Sequence, residues 1–145
     1  MGKINTGRVI GGGLLAGLVM NISEFVLHAI VLRADGEAVM ADLNSRGYNV
    51  KEDPNMLMLL IGITFVMGLL AVYTYAAIRP RFGAGPKTAI CAGLLVWALS
   101  ALYAGVYIHA GFVIFPARIV WLPVGWALIE IPLATLIGAA VYKEE

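Results

Sequence analysis

Four apolar runs decide what this chain can become. They cover residues 9–32, 56–78, 88–112 and 119–142. Each holds the roughly 20 helical residues that a bilayer core requires. Arg8 and Arg33 bracket the first, Arg79-Pro80-Arg81 closes the second and Lys143 closes the fourth. In hydrocarbon every backbone N–H and C=O must be satisfied within the segment, so an open chain crosses as an α-helix. The expectation is an all-α fold: one integral membrane domain, a four-helix bundle. Only 13% of the 145 residues are charged and 61% are hydrophobic. Soluble domains are about 25% charged, so lipid has to solvate much of this surface.

The net charge of +1 offers no basic surface for nucleic acid. The single cysteine, Cys91, has no intrachain partner and lies in an apolar run, where it reads as a buried small hydrophobe. The first run follows Lys3 and Arg8 as a signal peptide would. It is longer than a signal h-region and carries Glu24 and His28, so it reads as a retained helix. Lys and Arg bias sets orientation. Lys3, Arg8, Arg79, Arg81, Lys87 and Lys143 fall on one side, against Arg33, Arg46, Lys51 and Arg118 on the other. The second side also carries Asp35, Glu37, Asp42, Glu52 and Asp53. Both termini are therefore expected in the cytoplasm.

The longest connection, 33–55, contains "ADGEAVMADLN". Val39, Met40 and Leu43 fall on one helical face there, which predicts a short amphipathic helix over about 35–44, lying on the membrane surface. Gly47 is its expected stop. Asp53 as N-cap and Pro54 in the first turn then start the second span. Small residues four apart let helix backbones approach in lipid. Gly7 and Gly11, Gly13 and Gly17, and Gly12 and Ala16 provide such pairs in the first span, as do Ala89 and Gly93, and Ala101 and Gly105, in the third. Pro132 removes a donor in the fourth span and predicts a bend. Trp121, Trp126 and Tyr142 are candidate interfacial anchors, whereas Trp97 is expected to pack internally.

The polar residues of the first span stand out. Asn21, Glu24 and His28 are spaced three and four apart, so they form one stripe on one helix face, with Gly17 above them. Ser23 falls to the side and can bond its own backbone. A charge near the bilayer centre costs at least ~2.5 kcal/mol, so the stripe should face other helices. Glu24 lies roughly 12 Å from the outer end of its helix, and Glu130 roughly 17 Å from the same side. The two carboxylates are candidates to meet.

Three readings of these residues compete. Asn21, Glu24, His28 and Glu130 can form a ligand or proton site, because intramembrane ionisable groups mark ion and substrate paths. His28 and His109 can offer axial ligands to a b-type haem, or Glu24, His28 and Glu130 can hold a metal ion. Glu-x-x-x-His is not the Glu-x-x-His spacing of di-iron bundles, and no cofactor is expected. In the third reading the cluster only fixes helix register. No nucleophile–base set, phosphate loop or HExxH motif supports an enzyme.

"GRVIGGGLLAGLVMNISEFVLHAIVL" followed by "ADGEAVMADLN" resembles small bacterial inner-membrane proteins of unassigned function. These have a Gly-rich first helix, an amphipathic connection and three further spans. The resemblance implies four helices in a bacterial inner membrane and brings no activity or site residue with it. Three functional expectations result. The first is a transporter, channel or small-ligand binder, probable in a homo-oligomer because four spans enclose little. The second is an accessory subunit of a larger membrane complex. The third is a b-haem electron carrier.

Overall fold

The computed structural model describes residues 4–51, 53–112 and 114–143; Lys3 and Glu52, counted above in the charge bias, lie outside them. Every regular element among the described residues is helical. Four helices are long and apolar enough to cross a membrane: α1 (Thr6–Val31), α3 (Pro54–Phe82), α4 (Pro86–Gly111) and α5 (Ala117–Val141). The short helix α2 (Arg33–Ser45) joins the first two. The chain is a multi-pass membrane protein. We call the end that holds the 33–55 connection the loop side, and the opposite end the terminus side.

Local chemistry sets the ends. The Asn5 side chain accepts from the Arg8 amide at 3.0 Å and caps α1. Asp53 caps α3 by accepting from the Asn55 amide at 2.9 Å, with Pro54 in the first turn as expected. Gly47 takes φ +91° after α2, where the Gly47 and Tyr48 amides bond to the carbonyls of Asn44 and Leu43. That is a Schellman closure, and the φ value is the reason glycine ends the helix there. Val39, Met40 and Leu43 are half-buried along one face of α2, as the pattern predicted, and nothing on α2 is fully buried.

The second span differs from its expected end. The basic Arg79-Pro80-Arg81 segment does not stop it; α3 continues to Phe82. A proline so near the C-terminus forfeits only its own N–H donor, and its φ already suits a helix. Gly83, at φ +84°, makes the turn instead, and its amide bonds to the Arg79 carbonyl at 2.8 Å.

The bundle runs up and down. Going down α1, Gly13 meets Leu69, Gly17 meets Phe65 and the Asn21 amide reaches the Ile61 carbonyl at 3.5 Å. The descending partners show that α1 and α3 are antiparallel. Gly12 of α1 and Gly138 of α5 are in backbone contact, and Gly93 of α4 sits on the backbone of Pro132 of α5. The pairs Gly13/Gly17 and Ala89/Gly93 thus pack inside this bundle, whereas Gly7 and Gly11 lie on an exposed face. α5 is the central helix, burying Val124, Ala127, Ile131, Ala134 and Thr135 among others. It is one helix through both Pro123 and Pro132.

Three aromatic or sulfur positions differ from expectation. Tyr142 is buried, with its ring edge-on to Tyr75 at 6.0 Å and under Arg79 at 5.4 Å, so it is not an interfacial anchor. Trp126 is half-buried and turned to α1. Cys91 lies exposed on the outer side of α4. In each case the rotation of the helix about its axis decides, and a nearly uniform apolar sequence does not encode that rotation. Trp97 does pack internally, and its indole N–H donates to the Val124 carbonyl at 2.9 Å. Trp97→Phe should lower the unfolding free energy by about 1 kcal/mol, the net worth of one such bond. An unchanged thermal midpoint in detergent would show that the bond adds nothing to the helix's own pairing.

Candidate functional site

The site grows from the last two turns of α1. Here the helix widens: residues Leu27–Val31 are π-helical, and the Leu32 amide bonds to the Leu27 carbonyl at 2.8 Å. Such one-turn π segments occur frequently at functional sites. Glu24 and His28, one turn apart, form an ion pair with Nδ1 to Oε2 at 3.0 Å. The same Nδ1 lies 3.1 Å from the Glu24 backbone carbonyl. One imidazole nitrogen is thus held between two oxygens of a single residue, which fixes the ring.

Glu130 comes from the middle of the central helix. It is 6% exposed, and its Oε2 is buried without a hydrogen-bond partner. The Ser23 hydroxyl and the Trp126 indole lie against its carboxyl, and the charges of Glu24 and His28 act on it. Glu24 and His28 are thus paired on α1, and their charges reach Glu130 on α5. Trp126 Nε1 donates to Ser23 Oγ at 2.8 Å and ties the two helices beside Glu130.

Two predicted members behave differently. Asn21 is not a partner of Glu130. Its amide donates to the Gly17 carbonyl at 2.8 Å and turns toward the Ile61 carbonyl of α3. His109 stands apart, exposed, with its ring edge-on to Trp121 at 5.5 Å. The two histidines each have a separate partner, and the pattern proposed for a bis-histidine haem is not assembled by those contacts. Among the described residues no three His, Cys, Asp or Glu side chains converge as a metal site.

Ser23 and Trp126 are the members that sequence reasoning misassigned. Ser23 was expected to bond its own backbone. Thr64, Thr74, Ser100 and Thr135 do so, each donating to the carbonyl four residues earlier. Ser23 instead accepts a bond from another span, which leaves its own proton to donate. The one available signal was the i, i+4 spacing of Trp126 and Glu130, which places both on one face of α5.

Of Glu24, His28 and Glu130, His28 faces a pocket on the loop side. The pocket measures about 430 Å³ and is lined by His28, Leu32, Arg33, Glu37, Met40 and Ile119. Arg33 pairs with Glu37 at 2.9 Å across the rim. Arg118 at the start of α5 pairs with Asp35 at 3.3 Å and holds α2 across the mouth. Arg33 and His28 line this pocket, Glu24 is paired with His28, and Glu130 is the most buried of the four.

The chain matches no protein-family model, no curated protein and no solved structure. Its functional reading therefore rests on this geometry.

Proposed function

We propose that this chain is a transport protein of a bacterial inner membrane, with both termini cytoplasmic, that takes up a proton or a small ligand at Glu24, His28 and Glu130. The observation that carries the reading is the buried Oε2 of Glu130, which has no hydrogen-bond partner and feels the charges of the Glu24–His28 pair. A buried carboxyl oxygen without a donor is costly, typically about 1–3 kcal/mol. Intramembrane carboxylates that line a route from water are the usual signature of a proton or substrate path. The graded exposure of the groups supports the reading: His28 lines the pocket, Glu24 pairs with it, and Glu130 is buried. The Ser23 hydroxyl, held by Trp126, supplies a donor at the inner end.

The test is proton flux into proteoliposomes that carry a pH-sensitive dye. Glu24→Gln and Glu130→Gln keep the shape of each side chain and remove its titrating group. Each should reduce flux to the level of empty vesicles. Flux equal to that of the unaltered protein in both variants would overturn the reading and leave the cluster as a device for helix register.

A further inference from the structure

Gly12, Gly13, Gly17, Gly68, Gly93 and Gly138 have a packing reason: a methyl group on any of them would strike the backbone of another span. Gly36 has none. It sits inside α2 without a positive φ, and nothing lies within 4 Å of a Cβ placed there. Glycine inside a helix costs about 1 kcal/mol relative to alanine. Of the helical glycines with such open surroundings, Gly36 is the one that lines the pocket of about 430 Å³ beside His28. A missing side chain at a pocket wall lets another molecule approach the backbone closely.

The pocket has two kinds of wall. Ala29, Leu32, Met40 and Ile119 make one side aliphatic, and no aromatic ring lines it among the described residues. Leu32 is buried and Met40 is an adaptable, polarisable surface. His28, Arg33 and Glu37 make the other side polar. The volume lies in the range of small-molecule sites. An occupant that suits both walls has a compact aliphatic body and a polar head.

Charge selects the head. Arg33 Nε and Glu37 Oε1 are 2.9 Å apart, with side chains 73% and 66% exposed. So exposed a pair is worth only ~0–1 kcal/mol, and each partner keeps oxygens or N–H groups for further contacts. Arg118 and Asp35 make a second balanced pair at the mouth, and His28 and Glu24 a third. A lone anion or cation would meet one member of the Arg33–Glu37 pair and be repelled by the other. A zwitterion laid antiparallel along the pair meets both without separating them, its carboxylate at Arg33 and its ammonium at Glu37. His28 Nδ1 is held by two oxygens of Glu24, so Nε2 is the ring nitrogen left to an occupant. We infer that the pocket between the end of α1, α2 and the start of α5 binds a small zwitterion with an aliphatic body, its head along Arg33 and Glu37 and its body over Gly36 against Leu32, Met40 and Ile119. The assignment names the ligand class for the site proposed at Glu24, His28 and Glu130, and it rests on that reading.

Radiolabelled leucine tests it, by equilibrium binding to the full chain in lipid nanodiscs. Isocaproate and isopentylamine are the competitors, since each is leucine without one of its two charges. Leucine should bind saturably. Unlabelled leucine should displace it, and neither competitor should do so at the same concentration. Glu37→Gln keeps the side chain's shape and should weaken binding about tenfold, the loss of one bond to a charged group. Gly36→Leu should abolish binding by filling the pocket, with helical content and monodisperse yield unchanged because the added atoms enter open space. No saturable binding, equal competition by a singly charged analogue, or binding that survives both variants overturns the assignment. If that result comes with proton flux lost in Glu130→Gln, the zwitterion assignment alone falls. If flux also persists in Glu24→Gln and Glu130→Gln, the transport reading falls with it.

Discussion

Gly68→Val should leave almost no folded protein in the membrane. A side chain at Gly68 meets only backbone: the Gly13 carbonyl and the amide and Cα of Gly17. Neither partner is the tip of a flexible side chain, so two helices would have to move apart. Overpacking of an ordinary core costs about 1–3 kcal/mol. Here the displaced atoms belong to a helix backbone, and separation would also undo the Gly12–Gly138 contact on the other side of α1. Gly62→Ala, six residues earlier on the same helix, is the control. Nothing lies within 4 Å of a methyl group there. Alanine is a better helix former than glycine by about 1 kcal/mol, so this change should be neutral or stabilising. The two variants are compared by the yield of monodisperse protein and the thermal midpoint in one detergent. Equal behaviour would mean that the seam between α1 and α3 does not hold the bundle together.

Glu130→Leu should raise stability and abolish transport together. Glu130 is buried on the central helix beside Ser23 and Trp126, with one carboxyl oxygen unsatisfied. Removing the unsatisfied oxygen returns about 1–3 kcal/mol of desolvation. Leucine also suits a helix interior and the surrounding apolar volume. If Glu130 served only to fix helix register through Ser23 and Trp126, the same change would lower the midpoint and spare no contact. A higher midpoint with lost proton flux identifies a residue kept for function at the expense of stability. A lower midpoint assigns the residue to architecture.

The fold was legible because lipid allows so few solutions. Four long apolar runs have to be helices, and Asp53-Pro54 and Gly47 mark ends through capping and turn chemistry that does not depend on tertiary context. The pairing of Glu24 with His28 was equally legible, since i, i+4 spacing places them together in any helix. What resisted reading was the rotation of each helix. Trp126 and Tyr142 look like interfacial residues by position along the chain, yet both turn inward. Asn21 shares a stripe with Glu24, yet its amide goes to the carbonyl of Ile61. In soluble proteins the polar face reveals that phase; with lipid outside and side chains inside, both faces are apolar. Small residues gave a partial substitute. Gly13 and Gly17 mark the inner face of α1, but Gly7 and Gly11 carry the same spacing and face outward.

The all-round exposure of the first half of α3 has a mechanical consequence. Pro54 stands roughly 21 Å from Gly68 along the helix at the standard rise. A tilt of about 10° pivoting at Gly68 carries the tip about 4 Å, and beyond the Asn21–Ile61 link the residues from Pro54 to Leu60 are all exposed. The glycine seam is a fulcrum and the free half of α3 is a lever arm. The position of the tip is set by an angle at the seam rather than by the residues along the arm. One methyl group added at Gly17, against the Phe65 backbone, is multiplied along the arm into a larger displacement at Leu57 and Met58.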